Sequence, residues 1–245
     1  MTTDLLVRGL RSDDVERVGE LVRASFEADL TAYMVATQSG WTDFLRVLLA
    51  QPTSFPTHRL TVAERDGAVV AFADYRVPEP EQGFLSYICV DAAARGGGVG
   101  RRLFAEVIRR QGPVRCVGLD VFADNEAALG LYGSMGFRET ARQVWWRAPV
   151  PSGSTPIALH GLPASLASLE RYGFCELAGE HEGRRFRLGR MGGAVLRAFS
   201  GDDYDDVRLL ARLAATFPEL REVFVVLPDG VTPRLAGAEP FNIAI

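Results

Sequence analysis

The stretch "YICVDAAARGGGVGRRLFAEVI" constrains this chain more than any other, because it sets Gly96, Gly97 and Gly98 between a short apolar run and a helical pattern. Amides in the first turn of a helix have no partner inside the helix, and about half a unit of positive charge gathers there. Without β-carbons in the way, a phosphate can come within hydrogen-bonding distance of those amides. The turn therefore reads as an anion cradle, with Arg95, Arg101 and Arg102 as countercharges. For a glycine triplet taken alone, a turn that merely permits tight packing is the other reading.

The residues that are missing narrow the anion. A Walker loop needs Gly-Lys-Ser/Thr for terminal phosphates and magnesium, whereas Gly100 is followed by Arg101 and Arg102. The dinucleotide fingerprint needs a Gly or Ala three residues after its second Gly, and neither register supplies one.

The elements around the turn follow from periodicity. Residues 5–10 read as a strand, followed by a helix capped by Ser12 with Val15, Val18, Leu21 and Val22 on one face. A partly helical segment, stopped by Pro52 and Pro56, leads to a hairpin turning at Asp66-Gly67. The run "FLSYICV" is a third strand, and Val99, Leu103, Val107 and Ile108 share a helical stripe that Gly112-Pro113 ends. "VRCVGLDVF" is too continuously apolar to alternate, as expected of a strand covered on both faces. A short capped helix in "DNEAALGLYGSMGF" then returns into a strand through Val144, Trp145 and Trp146. The order β-α-α-β-β-β-α-β-α-β fills residues 1–148, and the Pro/Ser/Gly-rich residues 149–155 read as a linker.

Composition excludes several classes. With 245 residues and 47% apolar content, the chain can bury one domain and a smaller second one. Net charge is −4 and neither half is basic, so nucleic acid is not an expected partner. All 27 basic residues are arginine, which reads most simply as a genomic bias. No apolar run approaches the roughly 18 residues of a membrane span, and no basic start leads into an apolar stretch, so a cytoplasmic address is expected. Cys89, Cys116 and Cys175 read as packing residues, and His58, His160 and His181 lack metal-ligand spacing, so no metal is expected.

"VDAAARGGGVGRRLF" resembles the acetyl-CoA loop of the GCN5-related N-acetyltransferases, Arg/Gln-x-x-Gly-x-Gly/Ala, matched by Arg95, Gly98 and Gly100. "LDVFADNEAALGLYGSMGF" resembles a later segment of that family, matched by Asn125, Tyr132, Gly136 and Phe137. The resemblance covers residues 4–148 and implies an α/β (α+β) fold, a mixed central sheet flanked by helices. In that family two central parallel strands splay, and the pantetheine arm lies in the gap. Carried over, Ile88, Cys89 and Val90 offer backbone groups to pantetheine. Gly96, Gly97, Gly98, Val99, Gly100 and Arg101 hold the pyrophosphate with Arg95, and Asn125 joins the cofactor residues.

The reaction so implied is direct attack of an amine, on a small molecule or a peptide, on the thioester of acetyl-CoA. Tyr132 suits the acid that protonates the departing thiolate, its other reading being an aromatic on a short helix. Asp120 is the candidate base, since a carboxylate in "VGLDVF" is costly unless paired or useful. In the branch that acetylates ribosomal-protein N-termini a glutamate stands at the matching place, so the shorter Asp acts through water. An ordinary strand-end Asp is the equal alternative. The Val90 amide is the implied oxyanion donor. A non-catalytic acyl-CoA sensor is the rival to the enzyme reading. Tyr33, Met34, Trp41 and Phe44 line the variable acceptor wall or belong to helix core.

Residues 156–245 read as a smaller α+β domain: strand "PIALHGL", a helix, strands around "AGEHEGRRFRLGR" and "AVLRAF", a helix, and strand "REVFVVLP". "SLASLERYGFCELA" echoes "ALGLYGSMGFRETA", and "VLRAFSGDDYDDVRLLARL" echoes "LVRGLRSDDVERVGELVRA", in reversed order. Gly192-Gly193 precedes a strand-like run and cannot cradle a phosphate. A degenerate, cofactor-free acetyltransferase-like half and an unrelated module are the two readings, with cleft cover or homodimer contact as its role.

Overall fold

The computed structural model describes residues 5–111 and 114–245, so the Gly112-Pro113 helix stop lies outside the described residues. The chain forms two compact units. The first comprises the residues up to Ala28, Trp41–Val121 and Asn125–Arg138; the second comprises Asp29–Gly40, Phe122–Asp124 and Glu139–Ile245.

The first unit runs β1 (Leu6–Gly9), α1 (Val15–Arg23), α2 (Trp41–Ala50), β2 (His58–Arg65), β3 (Ala68–Glu79), β4 (Gln82–Val90), α3 (Val99–Arg110), β5 (Cys116–Leu119) and α4 (Glu126–Ser134). Its five strands lie in the order β1-β2-β3-β4-β5, all neighbours antiparallel except β4 and β5. Val15, Val18, Leu21 and Val22 are buried on α1, and Trp41 of α2 meets Phe72 edge-on at 6.1 Å. On the other face, Leu103, Phe104 and Val107 of α3 and Tyr132 of α4 pack with Ala71, Ala73, Tyr75, Ile88 and Val90 in one apolar cluster. The alternation of the strands thus divides β3 between two helical layers.

Three expectations for this unit change. The start of α1 is made by Asp14, whose Oδ2 accepts the Arg11 N–H at 2.8 Å, rather than by Ser12. β5 is an edge strand of its sheet with Cys116 exposed, so it is not covered on both faces, and that thiol is not a packing residue. Its long apolar run has a different cause: Val117, Leu119 and Val121 pack in the first unit, while Phe122 bridges to Ala244 in the second.

The second unit runs β6 (Gln143–Pro149), α5 (Leu162–Tyr172), β7 (Phe174–His181), β8 (Arg184–Met191), β9 (Val195–Ala198), α6 (Gly201–Tyr204), α7 (Val207–Thr216), β10 (Glu222–Pro228) and β11 (Glu239–Ala244). Its sheet order is β11-β6-β10-β9-β8-β7, with β9 and β10 parallel. The sequence reading places the strand through Trp145 with the first domain, but both ladder partners of β6 are β10 and β11. Residues 156–162 form no strand, only a bridge from His160 to Ala178. The Ile157 amide goes instead to the Thr216 hydroxyl on α7, at 3.0 Å. β11 escapes the sequence reading because Pro240 and a register shift interrupt its alternation.

The connectivity of β7, β8, β9, α7 and β10 repeats that of β2, β3, β4, α3 and β5: two antiparallel steps, then a helical crossover to a parallel strand. The sequence echoes have another origin. They mark α4 and α5 each ending in Gly-Phe, and a strand leading into an Asp-rich helix start, which occupy different places in the two topologies. No helix among the described residues is long and apolar enough to cross a membrane.

Candidate active site

The site begins with a break in pairing. β4 and β5 are matched from Gln82↔Cys116 to Leu85↔Leu119 and no further, while β4 stays paired to β3 as far as Val90↔Ala71. Ser86 is the extra residue between the registers Tyr75↔Leu85 and Asp74↔Tyr87, and a bulge of this kind bends its strand. Beyond it, one edge of β4 has no strand beside it among the described residues.

Alternation decides which backbone groups face that edge. The Asp91 N–H donates to the Val70 oxygen at 2.8 Å, which makes Asp91 and Val70 a hydrogen-bonded pair. In an antiparallel ladder the next pair points its amides and carbonyls outward, and the one after points them inward. Val90 and Ile88 therefore turn N–H and C=O away from β3, whereas those of Cys89 face Phe72. Of the three residues expected to offer backbone groups, the ladder leaves Ile88 and Val90 and withdraws Cys89.

The glycine turn stands at the end of this edge. Asp91 accepts the Ala93 N–H at 2.9 Å and pairs with Arg17. That amide, followed by the Arg17 guanidinium, holds the carboxyl below its ordinary range. Gly96 and Gly98 have φ of +78° and +72°, a region costly for any residue with a β-carbon. A β-carbon at either would meet nothing within 4 Å, so the turn faces open space. The first backbone bond of α3 runs from Arg102 N–H to Gly98 O at 3.0 Å, so the amides of Val99, Gly100 and Arg101 have no acceptor within the helix. This arrangement binds oxyanions.

The arginines divide their work. Arg95 Nε donates to the Val90 oxygen at 3.1 Å, and Arg101 reaches the Ser134 hydroxyl on α4. A cation the sequence reading overlooks is Arg65, at the end of β2. Its Nη2 lies 3.8 Å from where Gly97 would carry a β-carbon. The only signal for it in the sequence is an arginine just before the Asp66-Gly67 turn, which says nothing about distance to residue 97.

Tyr132 lies on α4, 7% exposed, with its ring 6.3 Å from that of Phe104 and 5.8 Å from that of Phe137. Burial pushes its phenol up to about 12. Burial likewise pushes the Cys89 thiol up to about 11, against the hydrogen bond with Ser25. At neutral pH both are uncharged, and Tyr132 retains a proton to give.

Asn125 caps α4, its Oδ1 accepting the Ala128 N–H at 3.1 Å. Asp120 follows β5 and is exposed, so the burial cost that singled it out does not arise. The buried carboxylates of the first unit are Asp14 and Asp74, the latter 3.1 Å from His58 Nδ1. No group of three or more His, Cys, Asp or Glu able to hold a metal occurs among the described residues.

The second unit has no such site at the matching crossover. All of β9 stays paired with β10. The connection into α7 carries Asp202, Asp203, Asp205 and Asp206, with Ser200 capping α6 and Asp206 capping α7 at 2.9 Å. Carboxylates already occupy the helix starts, and a phosphate there would meet like charge.

Comparison with known proteins places these features. The description "Acetyltransferase (GNAT) family" matches residues 16–137. A mycothiol acetyltransferase from Thermomonospora curvata is 35% identical over 117 residues, 46% of this chain and 39% of that protein. This chain thus matches about two fifths of that relative's length. An L-2,4-diaminobutyric acid acetyltransferase from Chromohalobacter salexigens is 31% identical, across 60% of this chain and 69% of its own. An N-alpha-acetyltransferase RimI from Mycobacterium tuberculosis is 35% identical, across 49% and 77%. The strand edge and the glycine turn both lie within the matched residues, and the chain belongs to the Acetyltransferase (GNAT) family.

Proposed function

We propose that this protein is an N-acetyltransferase that moves the acetyl group of acetyl-coenzyme A to a primary amine of a small molecule or a peptide. The observation that carries the reading is the end of β4–β5 pairing at Leu85 and Leu119, which leaves Ile88 and Val90 facing an open edge beside the glycine turn. Amides along the pantetheine arm pair with that edge, and its diphosphate meets Gly96, Gly97, Gly98, Val99, Gly100 and Arg101, with Arg65 beside them. Asn125 acts by fixing the start of α4 and so the place of Tyr132.

The amine nitrogen forms a bond to the thioester carbon, and the carbon–sulfur bond breaks. The outward Val90 N–H stabilises the carbonyl oxygen as charge develops on it. Tyr132, held protonated by burial, gives its proton to the leaving thiolate, and the second proton lost by the attacking nitrogen returns the phenol to its protonated form through solvent. Asp120, exposed to solvent, takes the ammonium proton through water. The relatives named for diaminobutyric acid and for N-alpha acetylation support an amine acceptor of either size. The repeated connectivity supports reading the second unit as a copy of the fold without a cofactor, its phosphate position closed by aspartates.

A mass-spectrometric panel of small amines and peptide N-termini, incubated with acetyl-coenzyme A, tests this reading. Product gaining an acetyl group is the expected result. Binding of the donor with no product from any amine would leave a sensor, and no binding at all would remove the site.

A further inference from the structure

The second unit holds a cleft of about 490 Å³ in which His181, Arg208 and Arg212 meet the chain segment carrying Ser154 and Thr155. The segment is fastened to α7 and does not hang free. Gly153 passes so close that a β-carbon would sit 2.0 Å from the Ala211 oxygen. Arg212 Nη2 donates to the Pro156 oxygen at 2.9 Å, and the Ile157 amide donates to Thr216. The wall of the cleft is therefore built, and Ser154 and Thr155 line it together with Arg208 and Arg212 of α7.

His181 makes this cleft a site. It is 5% exposed, and neither of its ring nitrogens has a hydrogen-bond partner. Its approach to Asp206, 3.8 Å, is too long for a hydrogen bond. Arg212 Nε is also buried without a partner. Buried donors left unmade are costly and uncommon in native proteins. The acids nearby are already engaged: Asp206 caps α7 and pairs with Arg184 at 3.0 Å, and Glu182 holds Arg208 at 2.9 Å in an exposed pair that a ligand can displace.

We propose that this cleft binds a phosphoryl group, free or borne by a small metabolite, between His181, Arg208 and Arg212 with the Ser154 and Thr155 hydroxyls. A tetrahedral oxyanion accepts from several donors at once, and two guanidinium groups beside an imidazole and two hydroxyls supply them from more than one side. The site is separate from the acetyl-transfer reading, which stands or falls on its own experiment.

The test is titration of the full chain with inorganic phosphate, following the imidazole nitrogens by NMR, with glycerol phosphate as the metabolite arm. The His181 signals, assigned by their loss in His181→Gln, are expected to move with a Kd below about 1 mM. Arg212→Gln should weaken binding about tenfold, while Arg109→Gln, an exposed position on α3 in the other unit, should leave it unchanged. Tighter binding of glycerol phosphate than of phosphate would mark a metabolite site, and the reverse a site for the free ion. Unmoved His181 signals at about 10 mM phosphate, or equal movement with acetate, would overturn the proposal.

Discussion

Arg65 Nη2 stands 3.8 Å from the position a Gly97 β-carbon would take, so a guanidinium on the end of β2 reaches the glycine turn from a strand two places away in the sheet. Arg65→Gln is expected to raise KM for acetyl-coenzyme A by about three- to tenfold with kcat little changed, the mark of lost ground-state binding. The wild-type KM should also rise with salt more steeply than that of the variant. Initial rates at two ionic strengths check both.

Gly97 and Gly98 should respond differently to alanine. At Gly98, φ of +72° makes any β-carbon strained, so Gly98→Ala should cost about 1 kcal/mol and lower Tm by about 2–4 °C. At Gly97 the nearest atoms are 3.7 and 3.8 Å away, so Gly97→Ala should fold normally. Its methyl group nevertheless stands where the diphosphate comes close, and KM should rise about tenfold. Melting curves and donor titrations separate the two effects.

Tyr132→Phe should lower kcat about a hundredfold while leaving donor affinity and Tm near wild type. The ring packs against Phe104 and Phe137, and phenylalanine keeps that packing. A kcat within about twofold of wild type would assign Tyr132 to the core alone.

Alkaline pH should destabilise the fold. Tyr132 rises from 10.0 to about 12 and Cys89 from 9.0 to about 11 on folding, each through burial. Between the unfolded and folded values the native chain holds more protons than the unfolded one, so stability is full below about pH 9 and falls as pH climbs toward 12. Tyr132→Phe should flatten the upper part of that fall, as measured by denaturant midpoints across the range.

Gly153→Ala should lower Tm, because the new β-carbon meets the backbone oxygen and carbon of Ala211 at 2.0 and 2.5 Å and neither can rotate away. Gly193→Ala, where nothing lies within 4 Å, is the control and should melt like wild type.

Much of the first unit was legible because its signals are local. The apolar stripe of α3, the Asp66-Gly67 hairpin and the glycines before Val99 each act over a few residues, and each is found where the pattern puts it. The site was legible as a turn but not as a gap. Ser86 carries no residue signal for a bulge, and the outward direction of Ile88 and Val90 depends on a hydrogen bond between Asp91 and Val70, 21 positions apart (91 − 70). The exposure of Asp120 is not legible in the sequence, because apolar neighbours along the chain are not its surroundings in space; the strand ends at Leu119 and leaves it exposed. β6 shows the same limit, since no property of "QVWWRAP" announces which sheet will accept it.

The adoption of β6 by the second sheet means that the polypeptide cannot be cut cleanly at the proline-rich stretch 149–155. A gene fragment starting there would leave β10 and β11 without the strand that joins them, while one stopping there would carry an orphaned tryptophan-bearing ribbon. The segment Asp29–Gly40, which also belongs to the later half, deepens the entanglement. Expression and refolding therefore require the polypeptide to be kept whole across that stretch.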